Sequence, residues 1–199
     1  MSLADLQRAL GTRVAAQSSP AAFALDDLSL EPLQLDQREV AWLRGLDETP
    51  GLAVTAHVAR WWRETKLQMM ARLTLMGLQR IGAGALVARY LDETACRTLF
   101  FLPEALGFLG FVAAAEDIGP VVPAIARFER ALLEAREAAF ARLEPDQPEA
   151  GFCEVVRFPA PAEAVLAALV SGEVLPTEAA RPSHVEVSSA LPQLWRVLD

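Results

Sequence analysis

Glu144-Pro145-Asp146-Gln147-Pro148-Glu149 is followed by Phe152-Cys153-Glu154-Val155-Val156-Arg157-Phe158, and this change of pattern decides how the fold is read. The first stretch is polar and twice interrupted by proline, so it reads as a linker or a sharp boundary. The second alternates in the two-residue period of a strand. Beyond it, Pro161 to Val170 has a short helical pattern, and Gly172 suits the left-handed residue that closes a helix. His184-Val185-Glu186-Val187-Ser188 reads as a second strand and Leu194-Trp195-Arg196-Val197-Leu198 as a third. Residues 150–199 therefore read β-α-β-β, a small α/β module.

Upstream the period changes to that of helices. Leu3, Leu6, Leu10 and Val14 recur at helical spacing in an amphipathic first helix over Met1 to Val14, without the apolar core of a signal peptide. Asp36 with Glu39 three residues on is a capping-box pattern for a short helix that ends near Gly45. A long helix is expected from about Ala53 to Leu78, with Val58, Trp61 or Trp62, Thr65, Met69, Leu73 and Met76 turned inward. Ile81 to Gly84 breaks the pattern before a short helix over about Ala85 to Asp92. Arg97 to Leu102 is β-prone or irregular. Pro103 fits the first position of a helix to about Ala115, and Pro123 opens another to about Leu143. In that last helix Ile125, Phe128, Leu132, Ala139 and Phe140 form the apolar face, and Glu129, Arg130, Glu134, Arg136 and Glu137 are read as solvated. The fold class expected is α+β: a mainly α-helical domain over 1–144, then the module over 150–199.

Composition bounds the function. The 199 residues are 53% hydrophobic and 22% charged, a globular balance rich in Ala and Leu. The net charge of −8 argues against general attraction to phosphate backbones or anionic membranes. No run of about 18 apolar residues is free of charge, so no transmembrane span is expected. Two cysteines, Cys96 and Cys153, lie in different segments without a CxxC partner. They could form one disulfide, and the reading preferred is reduced, buried thiols in a cytoplasmic protein.

Catalytic groups are few. His57 and His184 are the two histidines, and neither stands at a metal-ligand spacing from Cys, Asp or Glu. There is no GxSxG, no P-loop lysine and no full GxGxxG, since Gly82-Ala83-Gly84 follows no strand. No catalytic and no metal-binding residue is nominated, and no cofactor is expected in this chain.

Two places suit binding. Arg60, Arg63 and Lys66 step along one helix face beside Trp61 and Trp62, a combination that can hold an acidic peptide or a partner subunit. The plain alternative is a solvated face with buried tryptophans. The second place is an open sheet edge, which can take an extended peptide as an added strand. Its candidate residues are Glu154, Val155, Val156, Arg157 and Phe158 on one strand, with Val185 and Val187 on another. A plain structural sheet is the alternative there.

The phrases "LQLDQREVAWLRGLD", "ARWWRETKLQMMARLTL", "VARYLDETACRTLFFLPEALGFLGFV" and "ARFERALLEAREAAF", with the closing "LPQLWRVLD", resemble the partner proteins of DUF692-type multinuclear non-haem iron oxygenases. Those proteins accompany the iron enzyme in making ribosomally synthesised, modified peptides, as in the methanobactin and 3-thiaglutamate pathways. The resemblance implies a non-catalytic subunit that forms a heterodimer with the oxygenase and captures the leader of the precursor peptide. It places the iron ligands in the other subunit. A second similarity, to a bacterial family named for a putative DNA-binding domain, implies a DNA-binding regulator as the alternative, motivated also by the Arg60, Arg63 and Lys66 face.

Overall fold

The computed structural model describes residues 3–19, 35–47, 49–95, 100–142, 151–176 and 182–198. Cys96, residues 97–99 of the β-prone stretch and the Glu144–Glu149 linker lie outside the described residues. The fold is α+β, mainly helical toward the N-terminus, with a small antiparallel sheet and a helix at the C-terminal end. The chain divides into two compact units, Met1–Lys66 with Val87–Leu99, and Leu67–Leu86 with Phe100–Asp199.

The first unit contains α1 (Leu3–Ser18), α2 (Gln37–Leu46), most of α3 (Pro50–Met70) and most of α5 (Ala85–Glu93). The capping box holds as the sequence predicts. The Asp36 carboxylate accepts from the Arg38 and Glu39 amides at 2.8 and 2.9 Å, and Glu39 accepts from the Asp36 amide at 2.7 Å. Three of the donors orphaned at the helix start are thereby satisfied.

The long helix expected over Ala53 to Leu78 is two helices, α3 and α4 (Arg72–Arg80), separated at Ala71, where φ is −116° and ψ is 43°. The face assigned to the core is also reversed on α3. Leu52, Ala56, Arg63, Lys66 and Leu67 are buried, while Val54, Val58, Trp61, Trp62 and Met69 are exposed. Long basic side chains carry apolar stems, so Arg63 can be buried where its head group finds partners. Its guanidinium donates to Ser19 Oγ at 2.7 Å and to the Leu91 carbonyl at 3.0 Å, and lies 5.4 Å from the Tyr90 ring centre.

The second unit is built on α7 (Val121–Ala141), which packs against α4, α6 (Phe101–Ala113), β1 (Cys153–Phe158) and β2 (Ser183–Ser188). α8 (Ala162–Ser171) packs on α4 and β2, and β3 (Trp195–Leu198) completes the sheet. Pro103 and Pro123 each occupy the third helical position instead of the first. Both are tolerated there because amides of the first turn have no acceptor within the helix. Phe101 and Leu102, placed in the β-prone stretch by sequence, already belong to α6.

The strand order is β1-β2-β3, all antiparallel. Val156, Phe158, Val185 and Val187 are buried, each worth about 1.5–3 kcal/mol of burial. Phe128 of α7 meets Phe158 and Trp195 edge-on, with ring centres 5.8 and 5.6 Å apart. The sheet module falls in one compact unit with α4, α6 and α7.

Candidate functional site

The register settles which backbone groups of the sheet are free. Phe152 lies opposite Ser189 if the β1–β2 pairing is extended by one, and Ser189 N–H donates to the Phe152 carbonyl at 3.0 Å. Hydrogen-bonded pairs alternate along an antiparallel ladder, so Glu154, Val156 and Phe158 bond toward β2. The backbone groups of Cys153, Val155 and Arg157 then point away from it. No other strand pairs with that side of β1 among the described residues. β1 is therefore an edge strand with outward-facing donors and acceptors at every second residue.

β2 is the central strand and is paired on both sides. Val185 and Val187 bond to β1, and Ser188 N–H donates to the Leu194 carbonyl on the β3 side at 2.8 Å. The sequence nominated Val185 and Val187 beside Glu154–Phe158. The structure buries both valines in the core and leaves no edge on β2. Of the β1 residues, Glu154, Val155 and Arg157 are exposed, while Val156 and Phe158 turn into the core against α7.

The two faces of β1 differ in what they offer. On one, Val155, 53% exposed, stands between Cys153 and Arg157. Cys153 is a free, exposed thiol, not the buried one expected. It heads an edge strand on the face turned from α7, and its Sγ lies 3.7 Å from Glu186 Oε1. Glu186 in turn accepts from Arg196 Nε at 2.6 Å. On the other face Glu154 lines a cleft of about 420 Å3 with Gly110, Ala113, Ala114, Arg127, Arg130 and Glu134. Arg127 and Arg130 on α7 face this cleft one turn apart, as helix residues three positions apart do. Arg127 donates to the Ala113 carbonyl at 3.3 Å and Arg130 to Glu134 at 3.2 Å. The sequence read Arg130 only as solvated and passed over Arg127. Helical spacing placed them on one face, but only the packing of α6 and α7 beside β1 makes that face a cleft.

The second nominated site, in the first unit, comes apart. Trp61 and Trp62 are 56% and 41% exposed, and Arg63 and Lys66 are both 1% exposed. Arg60 is half-buried, pairs with Asp92 and Glu64, and donates to the Ser18 carbonyl. What the helix presents is an apolar strip, Val54, Val58, Trp61 and Trp62, in place of a basic face. Trp61 and Trp62 have ring centres 6.1 Å apart.

The second unit also buries Glu129, which the sequence placed in solvent. Its two carboxylate oxygens accept from the Leu73 and Thr74 amides, both at 2.8 Å. Burial raises its pKa, opposed by those amide bonds and by the Arg72 charge. Ala71 stands at the N-cap of α4 and has no side chain to cap with, so Glu129 caps that helix from α7. Among the described residues no three of His, Cys, Asp and Glu stand together as a metal-binding group.

No family model matches the chain, and no curated protein matches it.

Proposed function

We propose that this chain is a non-catalytic partner subunit in the biosynthesis of ribosomal, modified peptides. In this reading it binds a DUF692-type multinuclear non-haem iron oxygenase and holds the leader of the precursor peptide. The open edge of β1 carries the reading. Cys153, Val155 and Arg157 offer backbone groups in the spacing that an extended peptide needs, which is how strand addition gains affinity. Side chains flanking that edge then select the sequence. Val155 offers apolar area and Arg157 a guanidinium without an ion pair among the described residues, and the cleft beside Glu154 offers polar groups of both signs.

The apolar strip Val54, Val58, Trp61 and Trp62 is the surface assigned to the oxygenase. Exposed tryptophans in a contiguous apolar patch are the usual anchors of protein interfaces. The iron and its ligands belong to the partner enzyme, and this chain brings no cofactor. Among the described residues no helix is long and apolar enough to cross a membrane, and a cytoplasmic location accords with the proposed assembly. The DNA-binding alternative rests on the second family similarity and on an exposed face of Arg60, Arg63 and Lys66. With Arg63 and Lys66 buried, no observation favours it.

The test is co-expression with the oxygenase and the precursor from the same source, followed by size-exclusion chromatography. A complex of the two proteins that retains the precursor through its leader is expected. Independent migration of chain and enzyme at micromolar concentration would defeat the proposal.

A further inference from the structure

The second unit holds a cavity of about 330 Å3, bordered by the end of α4, the start of α7 and the turn after α8. That volume lies within the range of small-molecule pockets, roughly 300–1,000 Å3. Its wall is mainly aliphatic. Of its lining residues, Val121 and Leu175 are buried and Val174 is 91% exposed. A valine left in water beside an apolar cavity is area that a bound hydrocarbon would cover.

Two charged side chains lie on that wall, Arg80 and Glu173. Neither makes a hydrogen bond or an ion pair, with each other or with any described residue. Arg80 lies against the backbone of Gly172. Gly172 closes α8 at a φ of 85°, and a Cβ there would come 3.0 Å from Arg80 Nη2. The bare glycine backbone is what lets the guanidinium rest against it. A guanidinium so placed keeps its planar fork of donors, which matches a carboxylate in two parallel hydrogen bonds. The amino end of α7 borders the same space and contributes potential of the same sign.

We infer that this cavity binds a small apolar monocarboxylate, with its carboxylate on Arg80 and its hydrocarbon chain against Val121, Val174 and Leu175. Glu173 sets the limit on charge, because a second negative group on the ligand would be repelled there. The site is distinct from the β1 edge and does not depend on the partner-subunit reading.

Octanoate is the probe and octanamide its uncharged counterpart, titrated calorimetrically into the full chain. Octanoate should saturate one site, and octanamide should bind about tenfold or more weakly, the loss expected when a charged hydrogen-bonded pair is removed. Arg80→Met should weaken octanoate by a similar factor and leave octanamide unchanged. Glu173→Gln should tighten octanoate. Arg80, Glu173 and Val174 are exposed, so folding of these variants can be confirmed by circular dichroism, and Val174→Asp gives a second variant that should weaken octanoate. Lack of saturable binding by calorimetry and chemical-shift mapping would overturn the inference. So would equal affinity for the two probes, an Arg80→Met protein that binds octanoate as the parent does, or weaker binding by Glu173→Gln.

Discussion

Replacing Glu129 with leucine removes both the cap of α4 and the titratable group. The lost cap is of the order of 0.5–2 kcal/mol. The Thr74 amide, in a residue with 0% exposure, is left without its acceptor, which adds about 1–3 kcal/mol. Relief from burying a carboxylate offsets part of this, so the net cost at pH 7 is about 2 kcal/mol. The pH dependence has a definite sign. The folded pKa of Glu129 is raised above 4.5, so the folded protein keeps this proton to a higher pH than the unfolded chain does. The pH-dependent share of its stabilisation is complete below pH 4.5 and is lost as pH rises through the folded value. Glu129→Leu lacks that slope, so the gap between parent and variant narrows with rising pH and then levels. Urea unfolding over a pH series measures the gap, and hydrogen exchange at Leu73 and Thr74 reports the cap locally. A gap below about 0.5 kcal/mol at pH 7 with both amides still protected would refute the capping argument. A gap that widens with pH from 4.5 upward would refute the burial argument.

Val155→Pro removes an outward-facing amide from β1 and leaves the β1–β2 ladder intact, so leader binding measured by fluorescence anisotropy should fall tenfold or more while unfolding shifts little. Gly77→Val should destabilise the second unit by about 1–3 kcal/mol in urea, because a Cβ at Gly77 already meets Ile125 Cδ1 at 3.3 Å. Asp36→Ala should cost about 1 kcal/mol through loss of the α2 capping box, read in the same way. Arg63→Ala should cost about 3 kcal/mol, since it strands the Leu91 carbonyl and opens a cavity beside Tyr90. Trp61→Ser should leave stability within about 0.5 kcal/mol and weaken capture of the oxygenase, because its side chain is exposed.

Much of the local structure was legible before any packing was known. Asp36 and Glu39 announced their helix because a capping box is a local exchange of hydrogen bonds between residues three apart. Gly172 announced the end of α8 because an L-residue is strained at its φ of 85°. The alternation over Phe152–Phe158 and His184–Ser188 gave both strands, since a two-residue period of burial is written directly into side-chain type.

Other features depended on partners distant in sequence. Nothing local marks Ala71 as a break, for alanine is the best helix former. The chain can start α4 there because the carboxylate of Glu129 on α7 supplies the cap that Ala71 lacks. The buried face of α3 was misread for a related reason. Arg63 is buried because Ser19, Leu91 and Tyr90 gather around its head group, and hydropathy cannot register partners that come from elsewhere in the chain. The candidate site divides along the same line. Its residues on β1 could be named from their alternation, but an edge is a property of strand order. That β1 lies outside and β2 inside was decided by pairing across the sheet, which no period within either strand encodes.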